Sequence, residues 1–507
     1  MLDIMKKHIL NSKFLVIILM SFLASCSDIL EETPDNRTSI DTKDKIAQLL
    51  VGAYPEAGYV PFLEPMSDNA RDKGPAALND NRINEEMYFW RDLNDIDEDT
   101  PTNYWNAAYA AIAQANQALQ SIEDLGGGEE FDAQKGEALV CRAYAHFMLV
   151  SIFSKAYNPT TAASDLGIPY VKKTETILLG SYTRASIEEV YEDIEKDLNE
   201  GLPLIENDYL VEAFHFTEET ANAFASRFYL NKGEWQKVIK YSTLALGSNP
   251  RFVLRNINGL YTNTPGANLR QLYTSSTEPA NLLLVSGVSL YTRNSATARY
   301  QMSRPLQREL FTFARNGARW DYPLFIVGSG DLGLTPLKIN EYFRVTNQAA
   351  GIGIPFATFI LISTDEVLLN RAEAYAMLEQ YDNALDDINL SYSTKIQNYD
   401  ADDIFTDTQI RTLYEVSDNE LYTPFYTIPD DGTLAYINAI LTMKRTILYN
   451  EGIRWFDIKR HDIVVNHPIV NVSGFVLETL TLPKGDNRRA LQIPIDAQSF
   501  GIEANPR

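Results

Sequence analysis

The chain has 507 residues, of which 45% are hydrophobic, and its formal net charge at pH 7 is −24. A charge of this size repels nucleic acid and anionic membrane surfaces, which argues against either as a binding partner. The length and the apolar content allow a large buried core, divided into one large domain or two to three ordinary ones.

The N-terminus has the features of an export signal. Lysines precede an apolar run from Phe14 to Leu23, and small residues then lead to Cys26. The run is too short for a mature membrane span, which needs about 20 apolar residues. Residues 1–25 are therefore predicted to be a lipoprotein signal peptide, with a lipidated Cys26 as the anchor; an ordinary secretory signal is the alternative. The polar residues 26–41 are predicted to be a flexible tether.

Apolar residues recur at steps of three and four along most of the remaining chain, which is the pattern of amphipathic helices. The fold class is predicted to be mainly α, a tetratricopeptide-like helical repeat scaffold with irregular, partly β loop insertions. Cys141 lies on one apolar stripe and is expected to be a buried small hydrophobe. The predicted helices span residues 102–124, 131–154, 186–204, 217–232, 234–247, 364–379, 381–392 and 434–450.

Two of the predicted helix pairs have the residue spacing of a tetratricopeptide repeat. The matching positions of the first pair are Tyr229, Gly233, Ala245, Leu246 and Pro250. Those of the second pair are Ala372, Tyr375 and Ala384, while Glu379 replaces the usual glycine. Small residues at these points let antiparallel helices approach closely. Because a long segment separates the two pairs, the predicted array is interrupted.

That segment, residues 251–360, contains short apolar runs between Asn, Thr, Ser, Gly and Pro, and is predicted to be loop-rich and strand-like. Residues 55–101 are predicted to be irregular as well. Binding residues concentrate in loops that a rigid scaffold carries. The predicted organisation is an N-terminal helical-repeat part over 42–250 with the binding loop 55–101, a ligand-binding insertion over 251–360, and a C-terminal part over 361–507 with further repeat helices.

A set of segments spread over the chain has the character of family motifs. The segments are Cys26–Glu31, Trp105–Tyr109 with Asn116, Gly136–Ala138 with Arg142–Tyr144, Asn450–Arg460, and Leu491–Ile495 with Asn505–Pro506. The most specific one, NEGIRWFDIKR, is close to an EGxRWFDL stretch. In these motifs the chain resembles the SusD/RagB family of nutrient-binding outer-membrane lipoproteins, over nearly all of the predicted mature chain.

The resemblance implies a function and a location. It implies non-catalytic binding of oligosaccharide or polysaccharide at the cell surface and delivery to a SusC-like TonB-dependent transporter of the outer membrane. The expected partners are that transporter, a glycan ligand and the membrane, which is contacted through the lipid anchor only. Peptide capture of the RagB type is the first alternative, and a surface glycan hydrolase is the second.

Carboxylates of the EGxRWFDL-like stretch invite a catalytic interpretation. Glu451, Arg454 and Asp457 follow one another at three-residue steps on one helical face. This spacing favours pairing between arginine and carboxylates, and ion-pair networks commonly produce such clusters. We therefore predict a structural role for these residues and expect no enzyme.

Cofactor and metal motifs are weak in this sequence. Residues 328–333 match GxGxxG, but Pro336 falls in the first turn of the helix that should follow, so a loop is predicted. The alternating carboxylates that begin at Asp95 resemble the start of a calcium loop, yet Thr100 and Asn106 occupy the positions of its glycine and glutamate. A solvated acidic loop is predicted there, and we expect no cofactor and no metal.

Flat aromatic side chains in the two loop regions are the predicted ligand contacts. A sugar ring has a CH-rich face that packs on an aromatic ring, and its hydroxyls form hydrogen bonds with Asn, Asp and Arg. The resemblance implies that the loops before the first repeat and the long insertion build the binding face. The predicted ligand-binding residues are Trp90, Trp320, Tyr88, Tyr291, Tyr322, Arg91, Asn94 and Asp68. Because aromatic residues make up 11% of the chain, a core role is the alternative for each ring.

Overall fold

Helices provide the framework of the computed structural model, which describes residues 40–77, 81–175, 180–321, 325–327, 334–400, 402–417 and 421–507. The helices are α1 (Lys43–Leu50), α2 (Val60–Met66), α3 (Arg82–Tyr88), α4 (Pro101–Asp124), α5 (Asp132–Phe153), α6 (Ile187–Gly201), α7 (Glu218–Lys232), α8 (Trp235–Leu246), α9 (Gly266–Tyr273), α10 (Tyr291–Asn294), α11 (Arg304–Phe311), α12 (Thr364–Met377), α13 (Tyr381–Ser393), α14 (Asp407–Leu413), α15 (Asp431–Ile447), α16 (Arg454–Arg460) and α17 (Ile495–Ser499). The mainly α prediction is confirmed, because every helix predicted from periodicity is present.

Capping and apolar periodicity account for the first long helix, α4. It begins at Pro101 after Thr100, whose hydroxyl accepts a hydrogen bond from the backbone N–H of Asn103. The next helix, α5, is the one helix of the described residues that is long and apolar enough to cross a membrane, but 94% of its apolar window is buried inside the protein. It is therefore a core helix, and Cys141 within it is a free, buried thiol as predicted.

The two repeat pairs are neighbours in space although the sequence separates them. Helix α7 packs on α8, α8 packs on α12, and α12 packs on α13 and α15. Ser226 and Ser242 meet between α7 and α8, with 2.6 Å between their hydroxyl oxygens. Arg371 of α12 forms a two-fold hydrogen-bonded ion pair with Asp387 of α13 and also donates to Thr243 of α8. The helical array is thus continuous, and the segment between the pairs loops out of it.

Small antiparallel sheets of two or three strands accompany the helical array. Strands β2 (Asn281–Val288), β6 (Asn340–Asn347) and β7 (Ile352–Ser363) form a sheet in the order β2-β7-β6, and β7 leads directly into α12. Two-stranded pairs join β1 (Arg71–Asp72) to β3 (Tyr300–Gln301), β4 (Phe325–Val327) to β5 (Leu334–Pro336), and β8 (Val465–Val470) to β9 (Val476–Leu482). The strands of the insertion were predicted from its short apolar runs, whereas the β8–β9 hairpin was not.

The region from 55 to 101 is less irregular than predicted, because it contains α2 and α3. Both helices are only 7 residues long, so periodicity has little to show there. Helix α3 is fixed by Asn81, whose side chain caps the N–H of Asn84. All residues from Lys43 to Arg507 belong to one compact unit, so the helical parts and the insertion are not separate bodies.

Candidate functional site

The two predicted binding regions meet through a short pair of strands. Strand β1 pairs with β3, with Arg71 opposite Gln301 and Asp72 opposite Tyr300. The side-chain amide of Asn84 in α3 donates to the backbone oxygen of Tyr300 at 2.8 Å and accepts from its N–H at 3.0 Å. We call the region formed by α3, β1, β3 and β8 the loop junction.

Asp72 is the buried anchor of the loop junction. Its carboxylate accepts two hydrogen bonds from Arg299, at 2.7 and 2.9 Å, and one from the backbone N–H of Val470 in β8, at 2.9 Å. It also accepts from the N–H of Gly74 at 2.8 Å. A carboxylate with this many donors binds its surroundings through charge-assisted hydrogen bonds. Asp72 thereby fixes segments that lie more than 200 residues apart in sequence, a role that the sequence did not predict.

A stack of aromatic rings forms the interior of the loop junction. The ring of Tyr88 lies 4.2 Å from that of Tyr300 and 4.0 Å from that of His467, measured between centroids, and the planes are nearly parallel. Trp90 continues the stack, with 4.3 Å between its centroid and that of His467. Both faces of Tyr88 and one face of Trp90 are therefore covered by other rings. The guanidinium of Arg488 lies 5.9 Å from the Trp90 centroid.

His467 lies between two backbone oxygens inside this stack. Burial lowers the pKa of His467 to about 4, although the backbone oxygens of Ser67 and Tyr88 raise it through hydrogen bonds. These oxygens lie 2.9 Å from Nε2 and 2.7 Å from Nδ1. A neutral imidazole can donate to only one of them. The ring thus joins the hairpin β8–β9 to the residue that follows α2 and to the last residue of α3.

Trp90 does not present an open stacking platform. Its side chain is 5% exposed, and its indole N–H donates to the backbone oxygen of Met66 at 2.9 Å. Its backbone φ is +52°, a left-handed value that a tryptophan adopts only where surrounding contacts compensate for the strain. Tyr88 is fully buried. The expectation that these two rings have faces free for a sugar is therefore corrected, because packing covers them.

The remaining predicted rings lie elsewhere in the fold or outside the described residues. Trp320 is buried, and its ring meets that of Tyr392 in α13 edge-on at 5.6 Å, so it belongs to the packing of the second repeat pair. Tyr291 is also buried, and its hydroxyl accepts from Gln301 of β3. Free ring faces are not observed for either residue. Tyr322 lies outside the described residues, as does the GxGxxG-like stretch 328–333.

Three residues that follow α3 in the sequence are exposed or partly exposed. Arg91 and Asn94 are exposed, as a ligand-binding role requires. Phe89, which is not among the predicted ligand-binding residues, is partly exposed; its ring meets Tyr300 edge-on at 5.6 Å, and the guanidinium of Arg91 lies 4.4 Å from its centroid. The signal for Phe89 was its place between two other aromatic residues in the run Tyr88–Trp90.

A second exposed aromatic pair belongs to the insertion. Tyr342 and Phe343 in β6 are 63% and 38% exposed. Arg293 of α10 forms a bidentate ion pair with Glu341 at 2.7 to 3.0 Å, and its guanidinium lies 5.3 Å from the Phe343 ring. Sequence reasoning missed this pair because β6 is exposed on both faces, and such a strand shows no clear alternation of apolar and polar residues.

Asp68 is held by arginines from the C-terminal motif and from α15. Arg454 donates to both of its carboxylate oxygens, at 2.8 and 2.9 Å, and Arg445 lies 3.4 Å away. Although burial opposes ionisation, the two arginines hold the pKa of Asp68 well below its usual range. The carboxylate is 20% exposed, so most of its capacity to accept hydrogen bonds is used inside the protein.

The other charged members of the EGxRWFDL-like stretch are also paired. Glu451 accepts from Lys338 at 2.9 Å and from the Tyr273 hydroxyl at 2.6 Å, and both partners are buried. Asp457 accepts from Arg460 at 2.9 Å. The predicted ion-pair role of the stretch is confirmed, with one difference. Each residue pairs with its own partner outside the triplet rather than with another member of the triplet.

The acidic loop near Asp95 does not gather its carboxylates around a common point. Asp99 is buried and accepts a hydrogen bond from the backbone N–H of Leu290 at 2.8 Å. Burial raises the pKa of Asp99 to about 6 despite the hydrogen bonds from Ser289 and Leu290. Within the described residues, no group of three or more histidine, cysteine, aspartate or glutamate side chains has the geometry to hold a metal ion.

Comparisons with known proteins agree on one relationship. Residues 28–230 match the family model SusD-like_3, which is described as starch-binding and associating with the outer membrane. The SusD-like protein P2 of Formosa agariphila is 25% identical over 307 residues, which are 54% of this chain and 57% of that protein. The match therefore spans little more than half the length of that relative.

Solved structures share the fold. A SusD superfamily protein from Bacteroides thetaiotaomicron superposes with a TM-score of 0.62 at 19% identity, covering 92% of this chain and 100% of that one. A laminarin-binding SusD-like protein superposes with a TM-score of 0.53 at 16% identity, covering 91% and 99% of the two chains. At these identities the likeness concerns the fold alone.

Proposed function

We propose that this chain, which is similar in sequence to SusD-like proteins, binds oligosaccharide or polysaccharide at the cell surface without catalysis and delivers it to a SusC-like TonB-dependent transporter. The observation that carries the proposal is the match to a family described as starch-binding and associating with the outer membrane. The laminarin-binding neighbour supports a glycan as the ligand class.

The loop junction is the proposed glycan-binding face. It joins the two regions in which binding residues were expected, and a buried ring stack and Asp72 hold it in one geometry. A binding surface on a rigid support avoids the cost of ordering side chains when the ligand binds. We assign direct contacts to Phe89, Arg91 and Asn94. The buried rings of the stack, which include Tyr88 and Trp90, hold that surface in place from inside the protein.

A non-catalytic role fits the state of the carboxylates. Those of Asp68, Glu451 and Asp457 each accept hydrogen bonds from a cationic side chain. A general acid or base needs a proton that it can exchange with a substrate, and salt-bridged carboxylates are poorly suited to that task. Glycan turnover by the purified protein, lost on substitution of one of these carboxylates, would instead favour a hydrolase.

A glycan panel with matched variants tests the proposed face. We expect the wild-type protein to bind at least one plant, host or microbial polysaccharide. Phe89→Ala and Arg91→Ala should each weaken that binding about fivefold or more, as the loss of a stacking contact worth about 1 kcal/mol predicts. Arg82→Ala is the control, because Arg82 is an exposed arginine at the start of α3, whereas Phe89 and Arg91 follow its end, and it makes only a loose pair with Glu86, at 3.9 Å.

Different outcomes separate the alternatives. If Phe89→Ala and Arg91→Ala bind a confirmed glycan with the affinity of the wild type, the loop junction is not the binding face of that glycan. Selective binding of peptides in place of glycans would favour capture of the RagB type.

The anchor and the transporter belong to the same proposal. Cys26, the proposed lipidation site, lies outside the described residues. Cys26→Ala should abolish incorporation of labelled palmitate and release the protein from membranes. Mild detergent extraction from the native host should co-purify a large β-barrel protein. Repeated recovery of the protein alone, while another envelope complex survives the same extraction, would contradict delivery to a transporter.

A further inference from the structure

A groove away from the loop junction has the features of a second ligand site. Its volume is about 560 Å³, and one wall is a face of α4 that carries Asn106, Tyr109 and Gln114. Ligand sites generally fall between about 300 and 1,000 Å³. A second wall is formed by residues 169–175 with 180–182, and the third is formed by α17 and the residues that follow it. None of the described lining residues belongs to the loop junction.

The second wall of the groove is fixed to the helices behind it. The Tyr109 hydroxyl donates to the backbone oxygen of Pro169 at 2.9 Å, which sets the orientation of the tyrosine ring. Asn116 donates to the backbone oxygen of Val171 at 2.9 Å, and the ring of His146 accepts from the Val171 N–H at 3.0 Å. Every one of these contacts reaches back to α4 or α5, so residues 169–171 of this wall are fixed before any ligand binds.

The third wall is anchored to the end of α5. The side-chain amide of Asn505 donates to the backbone oxygens of Phe153 and Leu491, both at 2.7 Å. The N–H of Leu491 donates to the backbone oxygen of Ile152 at 3.0 Å. These contacts hold the C-terminal segment in place and set Phe500, which is 53% exposed, at the groove.

The groove combines apolar rings with uncommitted polar groups. The side chains of Asn106, Gln114 and Asp496 line it, and none of them forms a hydrogen bond with another described residue. Tyr109 and Phe500 supply ring surface beside these groups. Amide and carboxylate groups next to flat rings match a ligand with hydroxyls and CH-rich faces.

We propose that this groove is a second glycan-binding site for a short neutral oligosaccharide. The ligand packs on Tyr109 and Phe500, and its hydroxyls bind the side chains of Asn106, Gln114 and Asp496. The inference rests on the proposed glycan-binding function, but it concerns a different surface from the loop junction. A chain of sugars longer than one site could then be held at two places on the protein.

Calorimetric titration of the full-length protein in detergent tests the groove, with maltohexaose and laminarihexaose as probes. One variant is Asn106→Ala/Gln114→Ala, and a second, Ala113→Trp, blocks the groove with a bulky ring on an exposed position of α4. Arg91→Ala reports on the loop junction. We expect two binding events in the wild type for at least one probe. Both groove variants should weaken one event at least fivefold, and Arg91→Ala should weaken the other.

Each result has one meaning. A single event that only Arg91→Ala weakens overturns the second site and leaves the proposed function standing. A single event that only the groove variants weaken supports the groove and overturns the loop junction as the binding face. If both groove variants bind like the wild type, the groove is not a site. If the wild type binds neither probe nor any glycan of a wider panel, the proposed function fails, and the second site fails with it.

Discussion

Asp68 accepts two parallel hydrogen bonds from Arg454, at 2.8 and 2.9 Å, although the two residues are 386 positions apart in sequence. The pair connects the predicted binding loop 55–101 to the EGxRWFDL-like stretch. Two features that the sequence suggested separately, a ligand carboxylate and a structural motif, are thus parts of one contact. The contact has measurable consequences for stability.

Asp68→Asn should lower the free energy of unfolding by about 3 kcal/mol, because it leaves the buried Arg454 without a counter-charge. Urea denaturation at pH 7 measures this loss. Asp92→Asn is the matched control: its ion pair with Arg507 is 2.8 Å long but more exposed, so we expect a loss of at most about 1 kcal/mol. Equal losses in the two variants would contradict a special role for the Asp68–Arg454 pair.

The contribution of Asp68 should also depend on pH. Because the folded pKa of Asp68 is depressed, its stabilising effect is present above the unfolded value of about 3.9 and is lost as the pH falls below it. The difference in unfolding free energy between wild type and Asp68→Asn should be constant above pH 5 and shrink below pH 4. A difference that stays constant down to pH 3 would contradict the depressed pKa.

Removal of the buried tryptophan rings should destabilise the fold. Trp90→Ala deletes a ring that is stacked on His467 and hydrogen-bonded to Met66, and Trp320→Ala deletes one that packs on Tyr392. Each change should cost about 3–5 kcal/mol and lower the thermal midpoint. Trp90→Phe, which keeps a ring in the stack, should cost less. A glycan affinity that falls while the midpoint stays unchanged would show that the ring is an accessible platform after all.

His467 should make the loop junction sensitive to acid. The folded pKa of about 4 lies below the unfolded value of about 6.5, so the unfolded chain binds the extra proton first. The stabilisation is therefore complete above pH 6.5 and is lost as the pH falls from 6.5 to 4, by about 3 kcal/mol in total. His467→Phe keeps a ring in the stack but does not titrate. Between pH 7 and pH 4 the variant should lose less stability than the wild type.

That comparison isolates His467 from the other titrating groups. His146, whose pKa is lowered to about 3 by burial, is present in both proteins, so its effect cancels in the difference. An equal loss of stability in the two proteins would mean that His467 does not titrate in this range. A larger loss of stability in the variant would mean that the pKa of His467 in the wild type is raised. Its two carbonyl partners alone would favour such a rise.

The sequence predicted the helices well because their apolar stripes are local and long. It could not predict that α8 packs on α12, since that contact joins residues on either side of the insertion. The burial of the predicted aromatic rings could not be predicted for the same reason. Trp90 has the same neighbours in sequence whether its ring is an exposed platform or part of a buried stack. The ring is buried because it stacks on His467, which lies in a hairpin far away in the sequence. The β8–β9 hairpin was missed as well, and β9 is exposed along most of its length, so its residues mark no buried face.

Asp72 was missed for a related reason. Its partners Arg299 and Val470 come from two remote segments, and a lone aspartate in a loop has no local signature. Asp68 and Arg91, in contrast, were predicted as ligand contacts from similar local surroundings, and the structure leaves only Arg91 exposed. Residue type identified the chemistry available to this region, whereas the fold determined which groups remain open to solvent.

The turns of the two repeat pairs allow a matched test of backbone strain. Gly233 ends α7 with φ +70°, and Glu379 holds the equivalent place after α12 with φ +58°. Both turns have the same hydrogen bond, from the following N–H to the backbone oxygen of a tyrosine four residues before the turn residue. This geometry is a helix C-terminus that favours glycine. Glu379 is exposed and adopts a left-handed conformation that costs a residue with a side chain about 1–2 kcal/mol.

Glu379→Gly should therefore stabilise the protein by about 0.5–1 kcal/mol, since relief of the strain exceeds the greater freedom that glycine gives to the unfolded chain. Gly233→Ala should do the opposite and cost about 1 kcal/mol or more, because alanine must take up the left-handed conformation and its Cβ would lie 3.3 Å from Phe425. Urea denaturation of both variants gives the two signs. If Glu379→Gly is less stable than the wild type while Gly233→Ala is destabilised as expected, the glutamate side chain stabilises the protein by more than its left-handed backbone costs.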